Sequence, residues 1–221
     1  MNATTDYGGN MKIVFLGDSI TDCGRNADNG SMSSIGQGYA CLIASRLNRD
    51  EPKMYEFINS GVSGSRIVDL YARIKSDCWN LEPDVISILI GVNDVWHECG
   101  GNGVEADRFY NVYKMLVKDT LNRLPDAKII VMEPFVVKGY NTVGTWEEFR
   151  GEVEKRACAA RKVAEEYGAT FIPLQEVFDS ASQTVESTYW SADGVHPSLA
   201  GHQLIADEWI RVFKEKSGGL T

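Results

Sequence analysis

Short apolar runs alternate with helically spaced apolar stripes along the whole chain. Ile13-Val14-Phe15-Leu16, Tyr55-Glu56-Phe57-Ile58, Lys128-Ile129-Ile130-Val131-Met132 and Ala169-Thr170-Phe171-Ile172 read as strands. Val85-Ile86-Ser87-Ile88-Leu89-Ile90 is apolar at both parities apart from Ser87, the pattern of a strand covered on both faces of a parallel sheet. From Phe109 the apolar positions Phe109, Val112, Tyr113, Leu116, Val117, Leu121 and Leu124 recur at helical spacing. A second stripe runs from Trp146 through Phe149, Val153, Ala157, Ala160 and Ala164 to Tyr167, and Gly168 suits its C-cap. Ala200 to Phe213 predicts a last helix, with Leu204, Ile205, Trp209 and Val212 turned inward.

Strands separated by single helices imply right-handed crossovers and helices on both faces of the sheet. The expected fold class is therefore α/β, a three-layer α/β/α sandwich around a five-stranded parallel sheet. A flavodoxin-like order 2-1-3-4-5 would make the first three strands neighbours, although the pattern by itself does not fix that order. Neither repeat nor linker divides the sequence, so one domain is expected over residues 11–216. Residues 1–10 and 217–221 read as a flexible N-terminus and tail. The polar, glycine-containing stretch Asp22 to Gln37 is expected to be a loop beside the site.

Composition narrows the function. The 221 residues suffice for one well-buried domain, and the formal charge of -9 argues against a nucleic-acid partner. The N-terminal stretch lacks the basic start and apolar run of a secretory signal. No apolar run approaches the ~20 residues that span a bilayer, so no membrane association is expected. Five cysteines, odd in number and without a C-x-x-C pair, read as free thiols in a reducing compartment, and a cytoplasmic location follows as the expectation.

Four short strings carry candidate chemistry: Gly17-Asp18-Ser19, Asn59-Ser60-Gly61-Val62-Ser63-Gly64, Gly91-Val92-Asn93-Asp94 and Asp193-Gly194-Val195-His196. The first three follow the first three strands, where open parallel sheets bind ligands. Ser19 taken alone could simply cap a helix, with Asp22 completing an approximate capping box. As a nucleophile it needs a base. Only His97, His196 and His202 are available. Pro197 places His196 on a loop before the last helix, and Asp193 three residues earlier can reach its Nδ1. His202 falls inside the last helix and reads as a packing or surface residue, whereas His97 has no obvious carboxylate partner.

Gly64 and Asn93 could be turn residues. In a functional reading the Gly64 amide and the Asn93 side chain join the Ser19 amide as oxyanion donors. Metal ligation by Asp193 and His196 lacks partner ligands, and neither a dinucleotide loop nor a Walker loop is present, so no metal and no cofactor are expected. Asp18, Trp96 and Trp190 are candidates to line the substrate site, with Asp18 and Asp94 also suited to bracing loops. Trp79, Trp146 and Trp209 read as core or interface residues.

These blocks resemble those of the SGNH hydrolases, the GDSL esterase/lipase family, matching Ser19, Gly64, Asn93 and Asp193/His196 in order and spacing. The resemblance covers about Lys12 to Phe213 and implies a flavodoxin-like fold with cofactor-free hydrolysis by Ser19, His196 and Asp193. It also implies an oxyanion hole of Ser19, Gly64 and Asn93. The strings around Ser19, Asn93 and His196 are similar to a bacterial branch that includes intracellular acetylxylan esterases, members of which can form large homo-oligomers. Ser65-Arg66 departs from the Asp-Thr or Asn-Thr of many relatives.

The expected activity is hydrolysis of short acyl esters, foremost O-acetyl groups on carbohydrates such as xylo-oligosaccharides. The same site could serve a lysophospholipid or an acyl thioester. A non-enzymatic carbohydrate-binding role would predict a damaged quartet of blocks, and this quartet is complete.

Overall fold

The computed structural model describes residues 10–26 and 32–217. Five parallel strands, β1 (Met11–Gly17), β2 (Tyr55–Asn59), β3 (Val85–Leu89), β4 (Lys128–Met132) and β5 (Thr170–Ile172), form one sheet in the order β2-β1-β3-β4-β5. This is the 2-1-3-4-5 order considered from the sequence. The helices are α1 (Ser19–Asp22), α2 (Tyr39–Asp50), α3 (Ile67–Asp77), α4 (Val92–Trp96), α5 (Ala106–Arg123), α6 (Trp146–Tyr167), α7 (Gln175–Ala181), α8 (Ser187–Trp190) and α9 (Leu199–Ser217).

The strand period of two divides the core into two layers. Ile13, Phe15, Val85, Leu89, Ile130 and Met132 pack against α2 and α9 on one face. Val14, Leu16, Ile86, Ile88, Ile129 and Val131 pack against α3, α5 and α6 on the other. The polar interruption in β3 has a partner across this core. Trp209 Nε1 donates to Ser87 Oγ at 2.9 Å, and both residues are fully buried.

The helical stripes over 109–124 and 146–167 coincide with α5 and α6, and Gly168 caps α6 with φ +65°. The last helix is longer than expected, from Leu199 to Ser217. Helices α2 and α3 go beyond the sequence expectation, and their core residues Tyr39, Ile43 and Leu47, and Ile67, Leu70 and Ile74, lie at helical spacings.

Of the stretch expected as a loop over Asp22–Gln37, residues 27–31 lie outside the described residues, and the rest contains a turn of 3-10 helix at Met32–Ile35. Asn26 N–H donates to Ser33 O (3.0 Å) and Gln37 N–H to Cys23 O (2.8 Å). The terminal segments expected to be flexible lie outside the described residues, except Asn10 and Ser217. Among the described residues, no helix is long and apolar enough to cross a membrane.

Candidate active site

β1, β2 and β3 deliver their following segments to one rim. Ser19 is the first residue of α1, directly beyond β1, and its cap is Asp18, whose Oδ1 accepts the Ile20 N–H at 2.9 Å. The capping role considered for Ser19 therefore belongs to Asp18, which leaves the Ser19 hydroxyl free for another partner. That partner is His196, with Ser19 Oγ 2.8 Å from Nε2. On the other side of the ring, Nδ1 lies 2.6 Å from Asp193 Oδ2. Since the carboxylate accepts the Nδ1 proton, Nε2 carries the free lone pair that can receive the serine proton.

The Asp193–His196 turn is held internally and from behind. Asp193 Oδ1 accepts the N–H groups of Val195 (2.9 Å) and His196 (2.8 Å), and Ser191 Oγ donates to His196 O at 2.9 Å. Burial works to raise the Asp193 carboxyl, but the bond from the His196 ring and the two backbone bonds outweigh it and hold the pKa below the usual value. The segment after β4 runs alongside, with Val137 N–H donating to Gly194 O (3.0 Å) and Tyr140 N–H to Ala192 O (3.0 Å). Gly194 has φ +96°, and a Cβ there would lie 2.3 Å from Thr142 Oγ1, so this contact and the backbone conformation both favour glycine.

The donor side is a tight turn. Ser65 N–H bonds Val62 O at 3.2 Å, with Gly64 at the third position and φ +80°, the geometry of a type II turn. In such a turn the Gly64 N–H belongs to the central peptide and is not used by the turn itself. A Cβ at position 64 would meet nothing within 4 Å, so this point faces open space. Asn93, buried in α4, donates from Nδ2 to Ser65 O at 3.1 Å, which leaves the second Nδ2 proton unspent. The loop is tied to α1 through Asp22, whose Oδ2 accepts from Ser63 Oγ (2.7 Å) and N–H (3.2 Å).

The other candidates from the sequence have the following surroundings. Asp18 is only 1% exposed, which puts its side chain beneath the rim rather than on its surface. Burial raises its pKa to about 7, against the bond from Ile20 and the attraction of His196 and Arg73. Burial likewise raises Asp94 to about 7, and Asp18 adds to the effect; both Asp94 oxygens accept the Ile67 N–H (3.1 and 3.3 Å). Trp96 and Trp190 are partly buried against the core, with Trp96 edge-on to Phe149 and Trp190 edge-on to Tyr189. Tyr189 is the exposed member of that pair, at 53%.

His202 is buried, accepts the Tyr39 N–H on Nδ1 at 3.2 Å and holds Cys23 Sγ at 3.3 Å from Nε2. Burial, with the nearby His196, lowers its pKa to about 4, so it is neutral packing. His97 sits half-buried in the turn after α4. Trp209 is fully buried, Trp79 donates to Thr120 Oγ1 at 2.9 Å, and the Trp146 ring takes cation contacts from Lys138 (5.4 Å) and Arg150 (5.7 Å).

Residues 15–204 match the profile of the GDSL-like Lipase/Acylhydrolase family, which is most of the chain and includes every member of this constellation. The chain belongs to that family. Its members' chemistry makes it a carboxylic ester hydrolase. This GDSL hydrolase is 32% identical to an acetylxylan esterase from Geobacillus stearothermophilus, across 92% of this chain and 94% of that protein. The crystal structure of that enzyme, Axe2, superimposes with a TM-score of 0.84 at 31% identity, covering 92% of this chain and 94% of the other. Variants of Axe2 at one serine and one aspartate are described as catalytic mutants. LAE5, an α/β hydrolase from the metagenome of Lake Arreo, gives a TM-score of 0.85 at 29% identity over 96% of this chain and 97% of that one.

Proposed function

We propose that this GDSL hydrolase removes short acyl groups from carbohydrates, foremost O-acetyl groups from xylo-oligosaccharides, with Ser19 as nucleophile. The observation that carries the reading is the unbroken chain from Ser19 Oγ through His196 to Asp193, at 2.8 and 2.6 Å. The likeness to an acetylxylan esterase over nearly the full length of both proteins supports the sugar ester.

In the proposed reaction His196 Nε2 takes the Ser19 proton as Oγ attacks the ester carbonyl. The negative oxygen of the tetrahedral intermediate is met by the Ser19 and Gly64 amides and the free Asn93 Nδ2 proton. Such preorganised donors are worth about 3–4 kcal/mol each in the transition state. Imidazolium at His196, held by the Asp193 carboxylate, then protonates the leaving sugar oxygen. Water repeats the cycle on the acyl-serine and releases acetate. The His196 side chain is 52% exposed, so a sugar leaving group can reach Nε2 without displacing protein. Exposed Tyr189, edge-on to Trp190, offers an aromatic face, and its carbonyl accepts from Ser198 Oγ, two residues beyond His196. The five cysteines are all free, which supports a reducing, cytoplasmic setting. A homo-oligomer is part of the proposal on the likeness to its bacterial relatives.

Acetate release from acetylated xylo-oligosaccharides, measured for wild type and Ser19→Ala beside p-nitrophenyl acetate, tests this reading. Release by wild type and none by the variant is the expected result. Hydrolysis of the generic ester without release from the sugar would retire the substrate while keeping the serine chemistry.

A further inference from the structure

We infer that Arg73 and Ser65 form the scaffold that sets the spacing of the oxyanion donors, making Arg73 a positioning residue for catalysis; this rests on the Ser19 site proposed above. Arg73 lies in α3, beneath the rim, with its side chain 19% exposed. Its Nη2 donates to Gly17 O and to Ser65 Oγ, both at 3.0 Å. Its Nη1 donates to Ser60 O at 3.1 Å and to Asp77 Oδ2 at 2.6 Å. One planar group thus bonds the end of β1, the segment leaving β2 and the residue after Gly64. Asp77, one helical turn further along α3, orients the fork from outside.

Ser19 and Gly64 stand two residues and one residue from an atom this pair holds, and Asn93 bonds Ser65 directly. Gly17 leads through Asp18 to Ser19, and its carbonyl also accepts the Val62 N–H at 3.1 Å. Ser65 closes the turn containing Gly64 and offers its own carbonyl to Asn93 Nδ2 at 3.1 Å. Ser65 is therefore bonded to Arg73 through its hydroxyl and to Asn93 through its backbone. A guanidinium suits the task because its N–H directions are fixed, so three acceptors bound to it cannot drift independently. The ammonium of lysine has no such fork. Oxyanion donors must be held to within ~0.5 Å of the productive position, so loosening this pair weakens transition-state binding. The ground-state ester gains little from the donors, and the loss therefore falls on kcat rather than KM.

The test compares Arg73→Lys, Ser65→Ala, Ser65→Thr and Ser19→Ala on p-nitrophenyl acetate, with kcat and KM separated. For Arg73→Lys the expected result is a kcat lower by about 10- to 100-fold with KM within about twofold. Ser65→Ala should lose about 5- to 10-fold, Ser65→Thr should keep most of wild-type kcat, and the Arg73→Lys/Ser65→Ala double variant should lose less than the product of the two. Should Arg73→Lys not fold, Ser65→Ala and Ser65→Thr carry the test, since the first removes one hydroxyl and the second keeps it while adding one methyl. Unchanged kcat in the Ser65→Ala variant, or losses confined to thermal stability or to KM, would overturn the inference. Ser19→Ala separates the two levels. An inactive Ser19→Ala beside a normal Arg73→Lys defeats only the scaffold, whereas an active Ser19→Ala defeats the site on which it rests.

Discussion

Asp18 is buried directly beneath the proposed nucleophile, and its ionisation should write a pH dependence into the stability of the fold. Oδ1 accepts the Ile20 N–H, while Oδ2 is buried without a protein partner. The carboxyl titrates at about 7 in the folded protein against 3.8 for an ordinary aspartate, because burial penalises its charge more than Ile20, His196 and Arg73 favour it. As pH rises above about 4, the unfolded chain gives up this proton first and the folded chain holds it. The folded state therefore loses stability between about pH 4 and 7, and the loss is complete above the folded value. At about 1.4 kcal/mol per pK unit, the penalty is about 2 kcal/mol at pH 5 and about 4 kcal/mol at pH 8, a difference of about 2 kcal/mol.

Asp18→Asn keeps an oxygen for Ile20 and places an NH₂ where Oδ2 has no partner, so its own cost is the same at both pH values. Asp94, which also titrates near 7, persists in both proteins, and because the Asp18 charge helps raise it, its relief in the Asn variant acts in the same direction. Thermal unfolding at pH 5 and pH 8 reads the difference directly. For a chain of this size the Asn variant should gain about 5–10 °C relative to wild type between the two conditions. Parallel curves for the two proteins would refute the account of a desolvated carboxyl under Ser19.

Two further outcomes are expected. Asp193→Asn should lower kcat by about 10³–10⁴-fold with KM little changed. Its Oδ1 would still accept from Val195 and His196 while its NH₂ faces Nδ1, so Nε2 would carry the proton and could not receive one from Ser19; near-normal kcat on p-nitrophenyl acetate would show that Asp193 does not set the His196 tautomer. Ser87→Ala should destabilise the protein by about 1–3 kcal/mol in urea unfolding, because it strands the Trp209 Nε1 proton in the core. Trp209→Phe removes that proton but opens a cavity in the core, so the double variant should lose less than the sum of the two single changes, and an unchanged midpoint for Ser87→Ala alone would contradict the assignment.

The legible part of this molecule is the part written in consecutive residues. Parity within Ile13–Leu16 and Val85–Ile90 announces a doubly covered sheet, and the first three chemical strings each follow a strand, so strand order brings the segments of Ser19, Gly64 and Asn93 to one rim. Asp193 and His196 are legible because three residues on a turn are enough to join a carboxylate to Nδ1. The short helix α1 shows the limit of that reading, since Asp18 and Ser19 are both good caps and only the backbone geometry decides between them.

The supports of the site are illegible for a different reason. Arg73 reads as one more cation on an amphipathic helix, yet it reaches Gly17, Ser60 and Ser65 at separations of 56, 13 and 8 residues. Thr142 reads as a loop threonine, yet it packs against Gly194 behind the base. Their partners are mostly backbone carbonyls and amides, which every residue carries, so no side-chain motif marks the acceptor. The sequence can declare the groups that react, but the groups that fix their spacing become visible only when distant carbonyls are brought to a single guanidinium. That asymmetry is why the part of Ser65, one of the two positions where this chain departs from the pattern of many relatives, shows only in the fork its hydroxyl satisfies.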